Sequence, residues 1–347
     1  MKDIHDRQNT FFAASNTGVG FVSYFEDIFG HCRRHYILKG GPGTGKSYFL
    51  HRVAEEAELL GNTVQRYLCS SDPDSLDGIC IAEKSIAILD GTSPHVVEPK
   101  LPGAREEIVN LGQFWDGAKL QNRYREIETL AKEKQSAYRA ALSHLHLAGE
   151  CMKQKLQLLA PYLEREKLTR AAHRFVSKRK KGQGTIIPCP LHTYGMKGEV
   201  TLAPFSQTAA VVLCLTPHYG VEYLYLSEIL CTCREMGVGI RYSPHPLCPH
   251  LPEAVYFEEE GILVTAMEKG QGKMVGCRRF LAKDVLRCTA LVRYLQKTGI
   301  IMTEAAGEEF DKMRKFHFAL EEIYKETMDF AAKERFTEMF VKGLFGD

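Results

Sequence analysis

Apolar residues along the chain alternate between short runs typical of buried strands and longer stretches with helical spacing. The run RHYILK, residues 34–39, predicts a strand, and SYFLHRVAEEAELL after it predicts a helix that ends at Gly61. TVQRYL, residues 63–68, and KSIAIL, residues 84–89, predict two further strands. Short strands separated by a helix favour an α/β fold with a parallel sheet flanked by helices.

The same order of elements recurs later in the chain. Leu38–Tyr67 aligns without a gap on Leu213–Tyr242, an offset of 175, so that strand, loop, helix and next strand follow in register. The same offset carries KSIAIL onto EGILV, residues 260–264. These matches predict an internal duplication.

Lys, Glu, Ala and Leu dominate two further stretches with helical spacing. Residues 117–174 predict two helices that join the repeats, and residues 303–344 predict a helical run after the second repeat. The predicted organisation is therefore a first core at 1–116, a helical connector at 117–174, a second core at 175–302 and a helical C-terminal segment at 303–347.

A glycine-rich loop follows the first predicted strand. Its sequence GGPGTGKS, residues 40–47, matches G-x-x-x-x-G-K-[ST] between a strand and a helix. Glycines let backbone N–H groups turn inward around an anion, and the N-terminal end of the following helix adds partial positive charge. Lys46 is predicted to neutralise the β- and γ-phosphates of a nucleotide. The predicted nucleotide-binding residues are Gly41, Pro42, Gly43, Thr44, Gly45, Lys46, Ser47 and Tyr48.

A carboxylate at the end of a neighbouring strand would complete such a site. Asp90 ends the strand KSIAIL and is predicted to hold Mg²⁺ together with the hydroxyl of Ser47. A turn-capping role before Gly91 is the alternative. Because Gly91 stands where many ATPases have glutamate, the motif does not identify the group that activates water.

Three carboxylates lie in the segment after TVQRYL, which is expected to end at the same edge of the sheet. Asp72 is a candidate catalytic residue, with capping of its own turn as the alternative. Asp74 and Asp77 are equally consistent with a site role and with capping this turn. His95 is a candidate general base or phosphate sensor, and a surface-loop histidine is the alternative.

The second repeat lacks the residues that this chemistry needs. At the offset of 175, Gly43, Lys46, Ser47 and Asp90 are replaced by His218, Val221, Glu222 and Thr265. An apolar side chain and a carboxylate in these places would disfavour a nucleotide, so the second repeat is expected to be structural or regulatory. Arg241, Arg278 or Arg279 could reach the first site as an arginine finger, with surface or structural roles as the alternative.

Composition places the chain among globular proteins, with 44% hydrophobic and 25% charged residues. A net charge of +2 does not favour nucleic acid or anionic lipid as a partner. No apolar stretch is long enough to predict a membrane span. The acidic start MKDIHDRQNTFF predicts no secretory signal, and 11 scattered cysteines favour a reducing, cytoplasmic location.

Four strings in order carry a resemblance to a known family: KGGPGTGKS, CSSDPDSLDG, ILDGTSPHVVEPKLPGA and EEIVNLGQFWD. Together they resemble a bacterial group of duplicated P-loop ATPases, found mainly in Firmicutes and defined by fold rather than by reaction. The resemblance covers the first 116 residues closely and implies ATP binding and hydrolysis at Lys46, Ser47 and Asp90. Both halves usually carry a phosphate loop in that group, and this chain departs from the pattern at residues 216–222.

The leading functional prediction is an ATP-binding protein with Mg²⁺-dependent ATPase activity in its first half. ATP is favoured over GTP because the chain has no N-K-x-D string. One alternative is a small-molecule kinase that holds its acceptor with residues 70–77 and His95. Another is a non-catalytic adaptor controlled by bound nucleotide, with a protein partner or a homo-oligomer as its target.

Overall fold

A computed structural model describes residues 9–94, 96–181, 184–267 and 272–346 of the chain. It is an α/β protein with two similar six-stranded sheets, each flanked by helices. In the described part of the chain, none of the helices combines the length and apolar character needed to cross a membrane.

The first repeat contains one sheet, one hairpin and two helices. Its sheet strands are β1 (Thr10–Phe12), β4 (Arg34–Lys39), β5 (Val64–Leu68), β6 (Leu76–Ile81), β7 (Ile86–Asp90) and β8 (Glu106–Asn110). Its hairpin strands and helices are β2 (Ala14–Thr17), β3 (Gly20–Ser23), α1 (Phe25–Phe29) and α2 (Lys46–Leu59). Three helices follow: α3 (Gly117–Asn122), α4 (Tyr124–Leu159) and α5 (Arg165–Val176).

The second repeat has the same plan. Its sheet strands are β9 (Ile186–Pro188), β12 (Val211–Thr216), β13 (Ile240–His245), β14 (Cys248–Phe257), β15 (Ile262–Thr265) and β16 (Lys273–Gly276). Its hairpin strands and helices are β10 (His192–Gly195), β11 (Gly198–Thr201), α6 (Pro204–Thr208) and α7 (Val221–Met236). The chain continues through α8 (Thr289–Lys325) and α9 (Phe330–Phe345).

The strand orders of the two sheets correspond. The first is β1-β5-β6-β7-β4-β8 and the second, in the same direction, is β9-β13-β14-β15-β12-β16. Both sheets are mixed, which corrects the expected parallel sheet, because β6 and β14 run antiparallel to both of their neighbours. The connections that lead into β6 and β14 are too short for the crossover that a parallel strand requires. The sequence analysis missed β6 and treated its residues as part of a loop.

The alignment of the repeats needs a correction at the glycine-rich loop. Leu38 is paired with Asp90 in the first sheet, and Cys214 is paired with Thr265 in the second. The left-handed glycine that begins the next helix lies seven positions after Leu38 (Gly45) but six positions after Cys214 (Gly220). The second loop is therefore one residue shorter, and the alignment without a gap was wrong in this loop.

Helices α4 and α8 pack along each other as an antiparallel pair. They contain 36 and 37 residues, so each is about 54 Å long at 1.5 Å per residue. Ala137, Ala141 and Leu145 of α4 face Phe310 and neighbouring apolar residues of α8, as the helical spacing of these positions requires. Helix α8 begins at Thr289, so the predicted boundary at 302/303 falls inside this helix and was wrong.

Each long helix ends against the opposite repeat. After α4, the backbone N–H of Ala282 donates to Tyr162 O at 2.9 Å, and α5 packs on α7 of the second repeat. After α8, the N–H of Asp116 donates to Thr327 O at 2.9 Å, and α9 packs on α2 of the first repeat. The C-terminal helix α9 therefore belongs to the first core, although the sequence analysis placed it in a separate segment.

The two hairpins make a similar exchange. Gly18, in the β2–β3 turn, donates its N–H to Pro246 O at 2.9 Å, and Met196, in the β10–β11 turn, donates to Ser71 O at 2.8 Å. A Cβ at Gly195 would lie 2.6 Å from Ser70 O, so the second hairpin fits closely on residues 70–71 of the first repeat. The two repeats therefore hold each other through matching backbone contacts.

We expect Phe340→Ala to lower the free energy of unfolding by about 2–3 kcal/mol. The ring of Phe340 on α9 lies 5.0 Å from the rings of both Tyr36 and Phe49, measured between centroids, so truncation leaves a cavity in the first core. Denaturant unfolding would measure the change. Met339→Ala on the same helix, where the side chain is 66% exposed, is the control, with an expected change below about 0.5 kcal/mol. Equal effects of the two substitutions would contradict the packing of α9 on this core.

Candidate functional site

The glycine-rich loop joins β4 to α2, as the sequence predicted. Gly43 and Gly45 have φ of 72° and 76°, a left-handed conformation that favours glycine, and Gly45 is the residue from which α2 begins. The hydroxyl of the buried Thr44 donates to Gly41 O at 2.9 Å and braces the turn. The loop therefore presents the N-terminal end of a 14-residue helix at the edge of the sheet.

Lys46 lies along this loop. Its Nζ donates to Gly40 O at 2.9 Å and to Gly41 O at 3.0 Å, and it lies 3.6 Å from Oδ2 of Asp90. The side chains of Lys46 and Asp90 are 12% and 13% exposed. The sequence thus predicted two residues that the structure brings together as a largely buried ion pair beside the helix N-terminus.

Asp90 ends β7, next to β4 in the sheet. Its Oδ1 accepts hydrogen bonds from the N–H of Thr92 at 2.9 Å and from the Thr92 hydroxyl at 2.6 Å, so Asp90 also caps the following turn. Burial raises the pKa of Asp90, the charge of Asp77 raises it further, and Lys46 opposes both. Ionisation of Asp90 in this buried position is therefore energetically unfavourable, and a cation bound nearby would reduce the penalty.

Asp77 is the carboxylate whose role the sequence left open. It lies on β6 and is 5% exposed. Since Gly78 is paired with Leu89 in an antiparallel ladder, Asp77 and Asp90 occupy facing positions on adjacent strands. The signal that could have placed Asp77 is the apolar run LDGICI, which continues past it and is long enough for a strand.

Ser47 lies at the first turn of α2 and faces the start of β6. Its Oγ accepts a hydrogen bond from the N–H of Leu76 at 3.0 Å, directly before Asp77. A serine hydroxyl and two carboxylates are oxygen donors of the kind that Mg²⁺ takes. Since two buried carboxylates on adjacent strands repel each other, this donor set fits a divalent cation.

The other predicted site residues have different surroundings. Asp72 closes its own turn, because its Oδ2 accepts from the Ser75 hydroxyl at 2.8 Å, which supports the turn-capping alternative. Asp74 pairs with Lys197 of the second repeat at 2.5 Å. The hydroxyl of Tyr48 donates to Glu334 of α9 at 3.2 Å. His95 lies outside the described residues.

Residues from distant parts of the chain cover the outer side of the loop. A Cβ at Gly41 would lie 3.3 Å from the ring of Trp115 and 3.6 Å from the ring of Tyr324. A Cβ at Gly43 would lie 2.7 Å from Glu321 O. Tyr324 and Glu321 belong to α8, which follows the second repeat, so sequence reasoning about the first repeat alone could not find them.

Basic side chains from the helix pair also lie near Lys46. The pKa of Lys134 on α4 is lowered, first by burial, and Lys46 lowers it further. The pKa of His317 on α8 falls to about 4 because of burial and the positive charges of Lys134, Lys46 and Lys325. His317 is therefore neutral at pH 7, whereas the positive charges of Lys46 and Lys134 both act at its position.

The loop of the second repeat holds its own carboxylate. Glu222 is 4% exposed, and its Oε2 accepts the N–H groups of His218 at 2.8 Å and Gly220 at 3.2 Å. Lys155 of α4 lies beside it, with Nζ 3.8 Å from the position that a Cβ on Gly220 would take. The backbone N–H groups that could face a phosphate are thus engaged by Glu222.

The three arginines considered as fingers have described contacts elsewhere. Arg241 pairs with Glu258 at 3.1 Å, and the guanidinium of Arg279 lies 4.7 Å from the ring centroid of Phe280. Arg278 donates to Leu281 O at 2.7 Å. These contacts favour the structural alternative for all three arginines.

We expect Glu222→Ala to lower the free energy of unfolding by about 1–3 kcal/mol, because it leaves two buried N–H groups without their acceptor. Glu222→Gln keeps an acceptor oxygen and should cost less than half as much. Denaturant unfolding of both variants would measure this difference. Equal losses would mean that the two hydrogen bonds contribute little.

Burial raises the pKa of Glu222 above its ordinary value of 4.5. The native state therefore holds the proton of Glu222 more tightly than the unfolded state, so protonation stabilises the fold. This stabilisation is fully present below pH 4.5 and is lost as the pH rises through the native pKa. We expect the stability of the wild type relative to Glu222→Gln to fall as the pH rises above about 4.5. A difference that stays constant as the pH rises would contradict the raised pKa.

Comparison with known proteins identifies no relative. Neither a protein-family model, nor a curated protein, nor a solved structure matches the chain. The resemblance to duplicated P-loop ATPases stays a prediction, and the functional argument depends on the residues and geometry described above.

Proposed function

We propose that the chain has a P-loop NTPase fold and binds the triphosphate of ATP at residues 40–47 of its first repeat. The observation that carries this proposal is the placement of Lys46 at the N-terminus of α2, 3.6 Å from Asp90. Backbone N–H groups, a helix N-terminus and one lysine at the same point favour a bound polyphosphate.

We further propose that the bound ATP is hydrolysed. Ser47, Asp90 and Asp77 would hold Mg²⁺, which supplies charge stabilisation for the γ-phosphoryl group when bound. Lys46 would stabilise the same charge while a water oxygen forms a bond to the γ-phosphorus and the bond to the bridging oxygen breaks. The proton of the water passes to phosphate or solvent, and the products are ADP and phosphate.

The residues of α8 that pack over the loop favour one alternative function, an adaptor protein controlled by bound nucleotide. Glu321 and Tyr324 of α8 contact the loop directly, so a bound nucleotide would act on the helix pair whether or not it is hydrolysed. The kinase alternative gains no such support. Ser70 and Ser71, which were assigned to an acceptor, use their carbonyl groups to hold the second repeat's hairpin.

We expect Lys46→Ala to abolish ATP binding, because the triphosphate loses its main cation. Calorimetry would measure affinity, and fluorescence would provide a second signal because Trp115, the single tryptophan, contacts the loop at Gly41. Lys100→Ala is the control, since the Lys100 side chain is 68% exposed and pairs with Glu26. Unchanged ATP affinity in Lys46→Ala would refute the proposed site.

We expect Asp90→Asn and Asp77→Asn each to slow phosphate release by about a hundredfold while ATP binding without Mg²⁺ is retained. Each substitution removes one of the two carboxylates assigned to the metal. A phosphate-release assay across Mg²⁺ concentrations would measure this effect, with candidate acceptors added to reveal a kinase. ATP binding without turnover in the wild type would favour the adaptor.

We expect one nucleotide per chain, and Val221→Lys combined with Glu222→Ser should not add a second. The shorter loop, His218 and Thr265 still differ from the first site. Calorimetric stoichiometry is the measurement. A value of two for the double variant would contradict the argument.

A further inference from the structure

Lys333 is a buried cation that the proposed chemistry does not yet use. It lies in the first part of α9 and is 3% exposed. Its Nζ lies 2.9 Å from the position that a Cβ on Gly45 would occupy, at the residue from which α2 begins. The ammonium therefore faces the N-terminal end of α2 beside the glycine-rich loop.

The described surroundings compensate the charge of this ammonium only weakly. Its Nζ lies 4.2 Å from the centroid of the Tyr48 ring, whose face attracts a cation. Among the described residues, Nζ donates no hydrogen bond and has no ion pair, and the carboxylate of Glu334 accepts from Tyr48. The N-terminal end of α2 carries partial positive charge of its own, which repels a cation.

Burial lowers the pKa of Lys333, and the charge of Glu334 opposes that shift. Lys46 adds a second ammonium at the same loop. Both lysines and the N-terminus of α2 lie at this loop, and each of the three would attract an anion bound there.

We propose that Lys333 is a second phosphate-binding cation, and that its ammonium contacts the polyphosphate held by residues 40–47. This inference rests on the proposed function and adds a residue delivered from outside the first repeat. Since α9 follows the second repeat and packs on α2, the anion site is complete only when the C-terminal helix is docked. The second repeat and its helices thus become part of nucleotide recognition.

The test uses the full chain with Lys333→Met, Lys333→Arg and the control Lys342→Met. Methionine keeps the unbranched stem over Tyr48, arginine keeps the charge, and Lys342 is an exposed lysine on the same helix. Calorimetry with ATP and with inorganic tripolyphosphate should show affinity at least about tenfold weaker for Lys333→Met. Lys333→Arg should recover most of the affinity, and Lys342→Met should bind like the wild type.

Two further readouts separate charge from packing. The difference between wild type and Lys333→Met should shrink as salt is raised, since screening weakens a charge contact more than a packing contact. Hydrogen exchange of residues 330–345 should slow on addition of ATP in the wild type but not in Lys333→Met. Both results are read from folded protein, which melting curves of each variant would verify.

The outcomes distinguish this inference from the function on which it rests. If wild type binds ATP and Lys333→Met binds equally well or more tightly, Lys333 has a structural role or blocks the site, and the inference is overturned while the nucleotide site stands. If wild type binds neither ATP nor tripolyphosphate, the nucleotide site and the role of Lys333 are both refuted.

Discussion

Two short antiparallel bridges, Trp115 with Met328 and Leu163 with Leu281, connect the end of each long helix to the opposite repeat. They direct α9 onto the first core and α5 onto the second, because the chain has little freedom between the bridge and the next helix. The position of α8 over the glycine-rich loop follows from the same connection. Without the exchange, the loop of the first repeat would lack both its cover and the lysine of α9.

The two loops meet the same electrostatic requirement in different ways. Each places a helix N-terminus at the end of a strand, a geometry that stabilises negative charge. In the second repeat the carboxyl group of Glu222 accepts the N–H groups of the loop, with Lys155 of α4 beside it. In the first repeat, Lys46 and Lys333 lie at the loop. The sequence difference between the repeats is therefore a difference between an internal carboxyl group and the external anion that we propose.

Local patterns were sufficient to predict the strand–loop–helix unit at residues 34–59, the strand that ends in Asp90 and the recurrence of both elements. These features depend on residues that are close in sequence, where periodicity and glycine placement carry the information. Strand β6 was missed because its first residues resemble an acidic turn, and with it the position of Asp77 beside Asp90. The start of α8 at Thr289 was missed because its first turns carry mixed apolar and basic residues. The packing of α5 on α7 and of α9 on α2 depends on contacts between residues at least 45 positions apart, which no local pattern encodes.

The exchange also gives a physical role to the second repeat, whose loop is occupied by Glu222. The second repeat carries α8 and α9, and these helices supply Glu321, Tyr324 and Lys333 to the loop of the first repeat. When no anion is bound, Lys333 and the N-terminus of α2 repel each other, which weakens the docking of α9. When a polyphosphate is bound, Lys333 and the N-terminus of α2 both attract it. Because linkage is reciprocal, the binding free energy that Lys333 contributes also strengthens the docking of α9 on the first core. Nucleotide binding and the docking of α9 are then coupled. Hydrolysis would weaken the docking, because it removes negative charge from the site.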